Sequence, residues 1–244
     1  MKVNIIGTGS IGSKYMSATT LIDNHVLVDI PNGATKFIKE LGYDISQIDT
    51  ILITHLHGDH FFDLPFLMLE KYFNNDKKNI KIICPVGTTN KVEELFKIGF
   101  PGDFEKVINN TNIEFIEQSS EGKIKVNNIE IEITNVEHGK IKPSFGYIVS
   151  IKGCHLALSG DSSYCQEVDY LVQKTNTAIL DMSLAKNGND KHMGYNDINN
   201  ICQKNPNKTI IATHMQDITR KTALNNPIKN LIIPETNFEI IIKK

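Results

Sequence analysis

Residues 51 to 60 read I-L-I-T-H-L-H-G-D-H, and this stretch constrains the chain more than any other. A β-prone apolar run ends at Thr54 and delivers His55, His57, Asp59 and His60 into one loop, four candidate metal ligands within six residues. A lone histidine is commonly a surface or core residue, but ordinary packing does not explain this density. Imidazole nitrogen and carboxylate oxygen without thiolate favour zinc, with manganese or iron admissible. One loop can serve two ions only if other segments complete both ligand sets. Candidates stand near the ends of other apolar runs: His138 in V-E-H-G, Asp161 in L-S-G-D-S-S and His214 in I-I-A-T-H-M, with His192 in K-H-M-G-Y as a fourth. Only His25 and His155 are left unassigned among the eight histidines.

The segments around these candidates alternate strand and helix signals. Strands are expected near 2–6, 18–22, 25–29 and 50–54. A helix is expected near 34–41, with Ala34, Phe37, Ile38 and Leu41 at helical spacing and Gly42 as its stop. A second helix is expected over about 64–73, with Asp63 as its cap and Pro65 in its first turn. The strand I-K-I-I-C and a helix near 89–98 follow. Segments 112–117, 123–126, 129–135, 145–151 and 154–159 read as strands, with turns at Asn127-Asn128 and Lys152-Gly153. After Asp161 come the strand T-A-I-L-D, a helix near 195–204, the strand K-T-I-I-A-T-H and a terminal strand F-E-I-I-I. No linker or repeat divides residues 1–244, so the expectation is one α/β domain, an αββα four-layer sandwich of two mixed β-sheets flanked by helices.

The opening M-K-V-N-I-I-G-T-G-S-I-G carries Gly7, Gly9 and Gly12 at the spacing of a dinucleotide-binding loop, and Asp29 stands where the ribose-binding acid would. The intervening A-T-T-L-I-D-N-H-V-L-V-D reads instead as a hairpin turning at Asp23-Asn24, and Ser13 to Ser17 cannot supply a crossover helix. The glycines are therefore expected to form a tight turn, and no nucleotide cofactor is expected.

The charge balance, 26 basic against 28 acidic residues, offers no global field for nucleic acid. Lys77, Lys78 and Lys81 form the densest basic cluster, and Arg220 is the only arginine. Four scattered cysteines read as buried thiols, not as a disulfide framework. No apolar run approaches the roughly 18 residues of a membrane span and the N-terminus lacks a signal-peptide pattern, so a cytoplasmic location is expected.

H-L-H-G-D-H, the later His138, the G-D of Asp161 and a strand-terminal His214 together resemble the metallo-β-lactamase superfamily over nearly the whole chain. T-H-L-H-G-D-H followed by D-L-P-F-L is similar to the branch of ribonuclease Z and related phosphodiesterases, with Asp63 where that branch typically has glycine. The resemblance implies one metal on His55, His57 and His138, a second on Asp59, His60 and His214, and Asp161 bridging them. It places His192 and Asp59 as catalytic residues, His192 beside the leaving oxygen. In ribonuclease Z a long tRNA-gripping arm lies between the third-motif histidine and the bridging aspartate. Here hairpin-like sequence consumes most of residues 139–160, leaving no room for it.

The expected activity is a phosphodiesterase with two zinc ions, cleaving a small phosphodiester or nucleotide-type substrate with a metal-activated bridging hydroxide. The alternatives are a lactone or thioester hydrolase, a ribonuclease Z-type RNA endonuclease, a mononuclear iron dioxygenase and a metal-binding protein without turnover. A small-molecule partner is expected in preference to tRNA or a membrane, with a homodimer left open.

Overall fold

The computed structural model describes every residue from Met1 to Lys244. Its first half runs β1 (Lys2–Gly7), β2 (Thr19–Ile22), β3 (Val26–Val28), α1 (Ala34–Glu40), β4 (Thr50–Leu52), α2 (Gly58–Phe61), α3 (Leu64–Phe73), β5 (Ile80–Pro85), α4 (Thr88–Gly99), α5 (Phe104–Asn110) and β6 (Ile113–Gln118). The second half runs β7 (Gly122–Val126), β8 (Ile129–Asn135), β9 (Phe145–Ile151), β10 (Cys154–Leu158), α6 (Gln166–Lys174), β11 (Thr177–Asp181), α7 (Tyr195–Lys204), β12 (Thr209–Thr213), α8 (Asp217–Asn225), β13 (Leu231–Ile232) and β14 (Phe238–Ile241). Two seven-stranded sheets result, ordered β14-β1-β2-β3-β4-β5-β6 and β13-β12-β11-β10-β9-β8-β7.

Strand alternation builds the layers. Val3, Ile5, Val26, Val28, Tyr147, Val149, Leu156 and Ile179 belong to an apolar cluster between the sheets. Their strand neighbours Ile6 and Leu27 pack outward with α1 and α3 residues, and Ile148, Ala157 and Leu180 pack outward with α6 and α7 residues. Central strands are therefore apolar on both faces, as two-sided burial requires. The expected four-layer αββα arrangement is the one observed.

The Asp23-Asn24 turn is a hairpin turn with φ of 47° and 63°, joining antiparallel β2 and β3. No helix separates β1 from β2. The glycine turn is dictated by close approach: a Cβ on Gly7 would lie 1.9 Å from the Ser17 carbonyl oxygen. Gly9 bridges both Ser17 and Met215, which seats this loop beside His214. Arg220 is buried, donating to the Pro234 carbonyl at 2.8 Å and to Thr8 Oγ1 at 2.5 Å, so it fastens the glycine loop and is not free to clamp phosphate.

Two details correct the sequence reading. Asp63 makes no cap bond to α3; its carboxylate accepts from the Gly33 and Thr35 backbone N–H groups at 2.8 and 2.6 Å, capping α1 instead. Cys165 is half-buried, while Cys84, Cys154 and Cys202 are buried. No helix is long and apolar enough to cross a membrane.

Candidate metal centre

The strands of both sheets end at one edge, and the loops that leave them carry the candidate ligands. His55 and His57 follow β4, Asp59 and His60 lie in the single turn of α2, and His138 follows β8. Asp161 follows β10 and His214 follows β12. Two backbones here adopt the left-handed region that non-glycine residues avoid, Asp29 at φ 58° and His214 at φ 54°, the kind of strain that surrounding structure holds at functional sites. Gly160 supports Asp161 by size as well as by conformation: at φ 58°, an added Cβ would lie 2.8 Å from the Phe145 carbonyl oxygen and 2.9 Å from Thr54 Cβ.

The side chains form overlapping groups whose donor atoms lie within 4.8 Å of one another: His55, His57, His138 and Asp161; Asp59, His60 and His214; and Asp161, Asp181, His192 and His214. Asp161 Oδ2 is the shared centre. It stands 3.8 Å from His55 Nε2, 4.0 Å from His138 Nε2, 3.4 Å from His60 Nε2 and 3.3 Å from His214 Nε2. His214 Nε2 is also 3.3 Å from Asp59 Oδ2.

This donor set suits cations better than it suits itself. His57 Nδ1 lies 3.0 Å from His55 Nε2 and 3.2 Å from His138 Nε2. A single proton satisfies one such nitrogen pair, whereas a cation satisfies three converging lone pairs at once. His60 Nε2 is buried with no hydrogen-bond partner, an orphan facing the two carboxylates. Burial, with neighbouring histidine charge, holds His55 well below the ordinary imidazole pKa, and burial also lowers His57 and His138. These three rings are therefore neutral near pH 7, the form that ligates metal. Burial opposes charge on His60 and His214 too, but it is outweighed by Asp161 and Asp29 together at His60 and by Asp161, Asp59 and Asp181 together at His214, so both are raised. Against its own burial penalty, Asp161 is held well below the usual carboxylate range by His214 and His60.

Around the donors stands a shell that sequence reading left unassigned. Asp29, weighed there only as a ribose-binding acid, meets His60 Nδ1 at 2.8 Å and accepts from Thr54 N–H at 2.8 Å. The Lys191 carbonyl meets His138 Nδ1 at 2.8 Å. Asp181, fully buried at the end of β11, meets His192 Nδ1 at 2.9 Å, and Ser183 lies between Asp181 and His214. The signal for both aspartates was their place as the acid that closes an apolar strand. His192 stacks on His214 with ring centroids 5.3 Å apart. His25 and His155 stay outside, paired with Asp49 and Ser150.

Two mixed sheets flanked by helices, with a histidine and aspartate cluster at the shared strand edge, define a metallo-β-lactamase-fold protein with the features of a metal-dependent hydrolase. Within that class the chain belongs to the family described as Anti-Pycsar protein Apyc1, whose model matches residues 1–236. It is similar to the Anti-Pycsar protein Apyc1 of Paenibacillus sp. (strain J14), 27% identical over 159 residues that cover 62% of this chain and 63% of that protein. It is also similar to ribonuclease Z of Mycolicibacterium gilvum, 26% identical over 185 residues that cover 70% of this chain and 65% of that protein. The chain thus spans slightly less than two thirds of the length of either relative. The crystal structure of human tRNase Z, short form, superposes with a TM-score of 0.77 over the whole of both chains at 18% identity, a likeness of fold.

Proposed function

We propose that residues 1–244 act as one dinuclear metal-dependent phosphodiesterase on a small, nucleotide-type phosphodiester, and that this hydrolysis is the anti-Pycsar action its family is described by. The observation that carries the reading is the position of Asp161 Oδ2 between the two ligand groups, within 4.0 Å of four histidine nitrogens. His55, His57 and His138 would hold one ion, Asp59, His60 and His214 the other, and Asp161 would bridge them. Two bound ions, zinc by the nitrogen and oxygen donor set, would supply an activated water and neutralise charge on the phosphoryl oxygens.

The chain's own residues supply the rest. Asp181 fixes the His192 proton on Nδ1, leaving Nε2 to act at the leaving oxygen. Burial pulls the His192 pKa down, but the Asp181 hydrogen bond and charge outweigh it and lift it above the ordinary value, so the ring holds a second proton, on Nε2, to higher pH than a free imidazole does. Asp59, 3.3 Å from His214 Nε2, aligns the second ligand group and would orient the attacking water.

Several features favour a small substrate over tRNA. Residues 145–158, between His138 and Asp161, form the β9–β10 antiparallel pair inside the sheet. The sole arginine is buried. The lysine cluster is already engaged: Lys77 bonds the Asn110 carbonyl, Lys78 bonds the Gln47 carbonyl, and Lys81 lies 3.8 Å from Glu114. The test is hydrolysis by one zinc-loaded preparation of bis-nitrophenyl phosphate, cyclic and linear nucleotide diesters, a lactone, a thioester and precursor tRNA across a salt series. Diester cleavage without site-specific tRNA cleavage is expected. Preferential lactone or thioester cleavage, or efficient tRNA processing, would overturn the assignment.

A further inference from the structure

Resting on the ligand set proposed above, we infer that Ser183 is a positioning residue that fixes His214 in its metal-binding tautomer through a hydroxyl relay to Asp181. Ser183 lies two residues beyond β11 and is 2% exposed; Asp181 is 0% and His214 5% exposed. Ser183 Oγ stands 2.8 Å from His214 Nδ1 and 2.7 Å from Asp181 Oδ1. On the far side of the ring, His214 Nε2 faces Asp59 and Asp161, each at 3.3 Å. A neutral imidazole offers one lone pair, so a ring that gives Nε2 to a cation carries its proton on Nδ1. That N–H donates to Ser183 Oγ.

A hydroxyl that accepts on one side is free to donate on the other, and an ionised carboxylate only accepts. The Ser183 O–H therefore donates to Asp181 Oδ1. The His214 carbonyl, 2.9 Å from Oγ, is the weaker neutral acceptor. The other Asp181 oxygen takes the His192 Nδ1–H at 2.9 Å and the Ser162 backbone N–H at 3.1 Å. One buried carboxylate thus sets the tautomers of two histidines, His192 directly and His214 through Ser183. His60 receives its carboxylate, Asp29, without an intermediary, and His138 relies on a backbone carbonyl. Thr219 Oγ1 donates to the Ser183 carbonyl at 2.6 Å, which pins the serine backbone beneath His214.

Outer hydrogen bonds to ligating histidines typically account for about 10–100-fold in metal affinity. The experiment is chelator-driven zinc release from loaded wild-type protein, Ser183→Ala and Ser183→Thr, read with a colorimetric indicator. Ser183→Ala is expected to release one ion about 10–100-fold faster and the other at the wild-type rate. Ser183→Thr, which keeps the hydroxyl, is expected to restore the wild-type pattern. Unchanged release from Ser183→Ala would overturn the relay, and so would equal acceleration of both ions. A threonine variant that behaves as the alanine variant would place the effect in packing and overturn it as well. Stoichiometry of the wild type separates the premises: a chain that holds a single ion overturns the ligand set itself, before any question about Ser183.

Discussion

Asp161 places its Oδ2 within 4.0 Å of histidine nitrogens from both proposed ligand groups. Replacing it with alanine removes the carboxylate that would screen two facing cations, so Asp161→Ala is expected to lower metal content from about two ions per chain, measured by elemental analysis. Retention of both ions would remove the bridging role. His192 is proposed to act differently, because its Nδ1 is hydrogen-bonded to Asp181 at 2.9 Å. His192→Ala is expected to keep its metals and lose about 10²–10⁴-fold in rate on diesters with poor leaving groups, with little loss for nitrophenolate. Equal losses on both kinds of substrate would replace proton donation with electrostatic stabilisation. The ligand candidates were legible because histidine is scarce and clusters only for a reason. Asp29, Asp181 and Ser183 were not, since an acid at a strand end or a serine in a loop reads as an ordinary cap until three-dimensional packing brings a histidine to it.

Elements were legible where burial is apolar and obscure where it is polar. The strands of both sheets, β13 excepted, read directly from apolar runs such as Ile5-Ile6 or from period-two patterns such as Ile129, Ile131 and Ile133, and α1, α3, α4 and α7 from helical spacing. The helices α5 and α8 gave no such signal: α5 buries Val107 alone, and α8 buries Thr219, Arg220 and Ala223. The helix α6 carries Val168, Leu171 and Val172 at helical spacing, an apolar signal present in the sequence itself. Asp63 shows how local reading fails, because it precedes α3 in sequence and caps α1 in space. Asp63→Ala should therefore destabilise the fold by about 0.5–2 kcal/mol in urea unfolding, the range for a lost helix cap. An unchanged midpoint would mean that water replaces the carboxylate at no cost.

At the scale of the whole molecule, the site depends on two sheets being held face to face by the apolar layer between them. Pairing of β14 with β1 closes one end of the chain onto the other, a non-local contact that no sequence window contains. Leu156, fully buried in that layer, sits in the middle of β10, the strand that leads into the loop carrying Asp161. Leu156→Ala is expected to cost about 2–5 kcal/mol of stability by calorimetry or urea unfolding, and a loss below about 1 kcal/mol would mean that the sheets close over the cavity. The most direct test of the dinuclear phosphodiesterase is titration of stripped protein with zinc while diester hydrolysis is followed. The account predicts that the rate rises to a plateau at about two equivalents per chain, as two ions acting on one phosphoryl group require. Full activity at one equivalent, or an inert diester at saturation, would contradict it.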